Sequence, residues 1–275
     1  LSHTVDSERR FRWSIIVGTA FTLVLVVAAG IWLVGSSDGR AAAQAEGYRR
    51  VLTDLREDLP DAQIVLAQIT EPAADATQFA DLIPTVTDLR ADAETALDVA
   101  AEPLPGPWPL ASSRPFEMLE PVRQTTSQQA TTAQAVARRL GEVLDYRSLF
   151  ARFLDTGDLP NRPEVDLSEL NLRLATAAAD SAGILSELPT DAALAAHAQL
   201  ARNALERFTT WQVDYVDALR SDSTDEVTAL LDELAEIRAG LDRELVAGIA
   251  QIRTEVDKSI IDLAASLDAA ITIVP

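Results

Sequence analysis

After residue 40, large apolar side chains recur at intervals of three and four, and no stretch alternates with period two. That spacing predicts helices throughout and no sheet. Glycine is sparse and no Asn-Gly pair marks a hairpin, which points the same way. The first stripe holds Tyr48, Val51, Leu52, Leu55 and Leu59, with Pro60 predicted to bend or interrupt it before Ile64, Val65 and Ile69. A second holds Phe79, Leu82, Ile83, Val86, Leu89, Ala93 and Leu97, where Pro84 predicts a kink or a late start. Between residues 102 and 115 lie five prolines and Gly106, and no helix is predicted to cross them.

A third helix is predicted from near Phe116 or Pro121 to about Leu154, ending at Asp155-Thr156-Gly157. A second loop covers 155–166. A shorter helix follows from Leu167 to Leu188, and another from Pro189-Thr190 to about Leu219. Ser223 and Glu226 have the spacing of a capping box. They open the longest stripe, from Val227 through Leu241, Ile252 and Leu263 to Ile271, in which twelve steps cover 44 residues. The mean step exceeds the heptad's 3.5, so a straight bundle helix is predicted rather than a left-handed coiled coil. Packed antiparallel, such helices make an elongated bundle, and the fold class predicted for residues 35–275 is all-α.

The segment 13–34 breaks the pattern. WSIIVGTAFTLVLVVAAGIWLV carries no charge over 22 residues, which at about 1.5 Å per residue crosses a hydrocarbon core of about 30 Å. Trp13 and Trp32 stand near its ends, where indoles favour the lipid headgroups. Ala41-Ala42-Ala43 offers a signal peptidase its small residues, but the apolar run is longer than a signal peptide's. A retained single-pass transmembrane helix is the reading taken. Arg9, Arg10 and Arg12 precede it, so the positive-inside rule assigns residues 1–12 to the cytoplasm and 35–275 to the outer side of the plasma membrane. Leu1 is an unusual first residue; an alternative start codon or a processed N-terminus accounts for it equally well.

Charge sharpens this picture. The chain has 43 acidic and 23 basic residues, a net charge of −20, which works against a nucleic-acid partner. Anionic lipid would repel the acidic domain, so it is predicted to contact lipid only through 13–34. Absence of cysteine excludes disulfides, thiolate metal sites and cysteine nucleophiles.

Little catalytic chemistry is visible. His3 lies in the N-terminal tail, and His197 stands alone in an Ala-rich helix, where it reads as a packing or surface residue. No phosphate loop, dinucleotide fingerprint, zinc motif or serine triad is present. Asp88 and Asp92, with Glu94 nearby, read as a solvated face. No catalytic, metal or cofactor-binding residue is therefore assigned.

Two aromatic stripes stand out: Tyr146, Phe150 and Phe153, and Phe208, Trp211 and Tyr215. They predict a shared place in the bundle core, or else the walls of a ligand pocket with Arg138, Arg139 or Arg207 as anion partners. Trp108, among Pro103, Pro105, Pro107 and Pro109, is predicted either to plug one end of the bundle or to form a docking tip.

The function expected is a membrane-anchored extracytoplasmic scaffold or interaction subunit, with a protein partner or a second copy as its target. A membrane helix before a long helical bundle also resembles, in architecture alone, the front half of bacterial chemoreceptors and helical-bundle sensor kinases. That resemblance implies a sensory region, cut short before a second membrane helix, as the alternative.

Overall fold

The computed structural model describes residues 39–71, 76–104, 117–162 and 166–274. The segments 1–12 and 13–34, and most of the proline-rich loop with Trp108, lie outside the described residues. Regular structure among the described residues is entirely helical. We number the helices α1 (39–69), α2 (Ala76–Ala101), α3 (Leu119–Phe150), α4 (Leu167–Glu187), α5 (Ala195–Arg220) and α6 (Thr224–Ile273). None of them is long and apolar enough to cross a membrane. The all-α class read from the sequence is what the structure shows.

The chain divides into two compact units. The first takes the described residues up to Arg56 with Glu94–Thr131 and the C-terminal stretch from Ser266; the second takes Glu57–Ala93 and Thr132–Ala265. In the first unit, Arg56 pairs with Asp268 at 2.9 Å and Arg49 donates to the Val274 carbonyl at 2.9 Å. Rising numbers in α1 thus meet falling numbers in α6, so these segments run antiparallel. In the second unit, Phe79 lies beneath Arg147, and a methyl on Gly141 would meet Val86 at 3.7 Å. The same reasoning makes α2 and α3 antiparallel there.

Packing explains where local rules give way. α1 runs through Pro60 and α2, which starts at Ala76, through Pro84, so neither an interruption at Pro60 nor a late start at Pro84 occurs. Each proline removes one backbone donor and crowds the preceding turn. Both stand on exposed faces, where water can take the freed carbonyl. The buried neighbours Leu59 and Ala62, and Leu82 and Leu89, hold each helix in place, each large side chain contributing about 1.5–3 kcal/mol. Ile64 and Ile83, placed in the stripes by spacing, are instead exposed at 54% and 51%. The long stripe of α6 is nearly all buried, with only Leu230 and Ile271 half-buried among its thirteen positions.

Helix ends show how the arginines are used. α4 opens on Asp166, whose carboxylate accepts from the Ser168 and Glu169 amides, satisfying donors that the helix itself leaves free. At C-termini the device is tertiary. Neither α2 nor α6 has a basic residue in its last turn, and arginines from elsewhere in the chain supply one. Arg123 donates to Ala100 O at 3.1 Å, Arg49 to Val274 O, and Arg147 to Ile69 O and Glu71 O at 2.7 Å each. Each places a cation where unpaired carbonyls and the negative helix end favour one. Arg123 also binds Glu120, whose pKa falls to about 2 mainly through that hydrogen bond.

Candidate functional site

All the candidate aromatic and arginine residues other than Trp108 fall in the second unit. The first stripe is buried along α3 and the turn after it: Phe150 stacks on Tyr146 at 6.4 Å and on Phe153 at 5.0 Å. α5 closes one side. His197 is 1% exposed, meets the Phe150 ring edge-on at 4.3 Å, and its Nδ1 lies 2.7 Å from the Tyr146 hydroxyl. Burial pushes the His197 pKa down to about 4, so the imidazole is neutral at pH 7. The simplest proton arrangement has Tyr146 donating to Nδ1. His197 is therefore a packing residue, one of the two roles its sequence context predicted.

The second stripe goes elsewhere. Phe208, Trp211 and Tyr215 stack on one another at 5.3 and 4.7 Å along α5. Trp211 Nε1 donates to Leu230 O at 2.6 Å, and the Tyr215 hydroxyl donates to Pro160 O. Among the described residues no ring pair joins the two stripes. They occupy the core as separate clusters, and the second has its polar tips tied off.

The arginines expected as anion partners are engaged with carboxylates. Arg139 pairs with Asp191, whose side chain is 5% exposed and also accepts from the Ala193 amide at 2.7 Å. Arg207 pairs with Glu233 at 2.7 Å, and Arg138 lies 3.9 Å from Glu142. None of the three lines the cleft beside the first stripe.

Two other arginines do line it. This cleft has a volume of about 270 Å³ and includes Phe79, Phe150, Phe153, Arg147, Arg238 and Asp242. Arg147 is 7% exposed, caps α1 and lies 5.0 Å from the Phe79 ring centre. Burial lowers its pKa and Asp242 opposes that shift, but a guanidinium stays charged throughout the physiological range. Arg238 donates to Leu154 O at 2.7 Å and to Thr156 Oγ1 at 2.9 Å. Among the described residues neither arginine has a carboxylate within ion-pair distance. Leu154, also on the cleft wall, is held at φ 51°. Its amide donates to Ser181 Oγ at 2.9 Å while its carbonyl takes the Arg238 bond, so both sides fix an unfavourable backbone conformation.

Spacing did not reveal Arg147 and Arg238 as site residues. The last turn of α1 has no basic residue of its own, but neither has that of α4, so the sequence did not single out Arg147 as a cap. Asp58 is a third residue that spacing missed. It faces Asp92, and burial, with Asp92 next, raises its pKa to about 7. The Asp88–Asp92 face is thus not wholly solvated, although no group of acidic and histidine side chains among the described residues is arranged to hold a metal.

No family model matches the chain, and no curated protein or solved structure matches it either.

Proposed function

We propose that this chain is a membrane-anchored scaffold or interaction subunit, with residues 13–34 as the lipid-spanning segment and the helical domain standing outside the cytoplasm. It works by contact. The anchor rests on the uncharged 22-residue run and its flanking arginines. The observation that carries the contact reading is on α4 and α5. Leu172 is 68% exposed and Val213 58%, and each directly follows a residue of the Asn171–Gln212 hydrogen bond that joins these helices. Two large aliphatic side chains in water beside one inter-helix bond make a surface that a partner would cover favourably.

The test is affinity capture of the tagged chain from gently solubilised host membranes. A stoichiometric partner, or a second copy, is expected with the wild-type chain and lost in the double variant Leu172→Ser, Val213→Ser at unchanged helicity. A monomer with no partner, or a partner retained by the variant, contradicts the reading. Resistance of the chain to alkaline extraction from membranes tests the anchor separately.

A further inference from the structure

We propose that the cleft bounded by Phe79, Arg147, Phe150, Phe153 and Arg238 binds a small aryl monocarboxylate. This goes beyond the scaffold reading and does not depend on it. Size sets the first limit. An enclosed cavity of about 150 Å³ can lodge benzene, so an open cleft of about 270 Å³ has room for one ring with a short acid side chain.

The walls select the body. Three phenylalanines from α2, α3 and the turn after α3 line the cleft. Arg147 lies over one face of Phe79 and Phe153 stacks on one face of Phe150, so an aromatic guest would meet the rings by their remaining edges, in edge-to-face contacts that an aliphatic guest cannot make. Charge selects the head group. Arg147 and Arg238 are without carboxylate partners among the described residues, and each retains guanidinium donors beyond the bonds already described, because those occupy only Nη1 of Arg147 and Nη2 of Arg238. Asp242 shares the cleft, leaving a net positive charge of one. A single carboxylate neutralises it, whereas a dianion such as phosphate would leave the cleft with a net negative charge.

The backbone supports a built site. Leu154 holds a left-handed conformation that costs about 1–2 kcal/mol for a residue with a side chain, and Arg238 and Ser181 hold it there. That arrangement fixes the Arg238 guanidinium before any guest arrives, which lowers the ordering cost of binding.

Calorimetric titration of the 275-residue chain in detergent micelles, against empty micelles, tests the proposal with phenylacetate as the probe. Phenylacetate is expected to bind at millimolar concentration or below, and neutral phenylacetamide on the order of tenfold more weakly, because a charge-assisted bond is lost. Arg238→Gln is expected to weaken phenylacetate by a similar factor. Since that variant also disturbs Leu154, Ala151→Phe at the exposed rim serves as the second variant. It fills the cleft while leaving both guanidinium groups in the chain, and it is expected to abolish binding at unchanged thermal stability. No saturable heat with phenylacetate, equal binding of the amide, tighter binding of inorganic phosphate, or unchanged affinity in both variants would overturn the assignment.

Discussion

The stripes Tyr146, Phe150, Phe153 and Phe208, Trp211, Tyr215 both recur at helical intervals, four then three residues in one and three then four in the other, with similar burial, yet among the described residues only the first borders a cleft whose cations have no carboxylate within ion-pair distance. In the second, Trp211 and Tyr215 spend their polar tips on Leu230 and Pro160 carbonyls. In the first, Tyr146 spends its hydroxyl on His197, while Phe150 and Phe153 have no polar tip and turn toward Arg147 and Arg238. Spacing sets which face an aromatic side chain occupies. The partners of its polar atoms, and the charges beside it, decide whether the place is closed or open.

The largest expected effect comes from opening the closed cluster. Trp211→Ala should destabilise the second unit by about 3–5 kcal/mol, read as a lowered denaturation midpoint. Phe153→Ala, at the cleft edge, should cost clearly less. Equal losses would show that the two clusters are equally sealed.

Next comes acid. The His197 pKa lies at about 4 in the fold against an ordinary value of 6.5, so its contribution is fully present above 6.5 and is lost as pH falls through 4. About 3 kcal/mol should disappear over that window, and His197→Phe should flatten this limb of a stability-against-pH curve. An unchanged limb would mean that His197 is solvated.

Gly248 probes the element that brings His197 into place. A methyl there would meet the Ala193 carbonyl at 2.6 Å and Leu194 Cδ2 at 2.8 Å, in the turn that leads into α5. Gly248→Ala should cost about 1–3 kcal/mol and loosen the Tyr146–His197 bond, visible as a rise in the His197 pKa.

The smallest effect concerns neither aromatic cluster and serves as the control. Asp58 rises from 3.8 to about 7, so its contribution is present below 3.8 and is lost as pH rises through 7. Discounted for its partial exposure, Asp58→Asn should gain about 1 kcal/mol above pH 7 and nothing in acid.

These residues also show how far the sequence could be read. The α6 stripe from Val227 to Leu267 was legible because one long helix buries one continuous face, and its period survives packing. The prolines were legible as a local penalty, but not whether the helix would break: flanking buried leucines outweigh that penalty at Pro60 and Pro84, and no local rule contains that balance. Ile64 and Ile83 keep the right spacing but sit at stripe edges, where exposure depends on a neighbouring helix. The aromatic stripes were visible as faces, but their separation was not, since it depends on which carbonyl each polar tip reaches. Arg139 and Arg207 were legible as charges and not as members of ion pairs, because Asp191 and Glu233 lie 52 and 26 residues away.

The contrast between an open and a closed cluster is tested most directly by phenylacetate titration, following the ring resonances of Phe79, Phe150 and Phe153 with the indole N–H of Trp211. The three phenylalanine signals should move together and saturate while the Trp211 signal stays fixed. A shifting Trp211 signal with still phenylalanines, or no saturable shift at any of the four, would contradict the account.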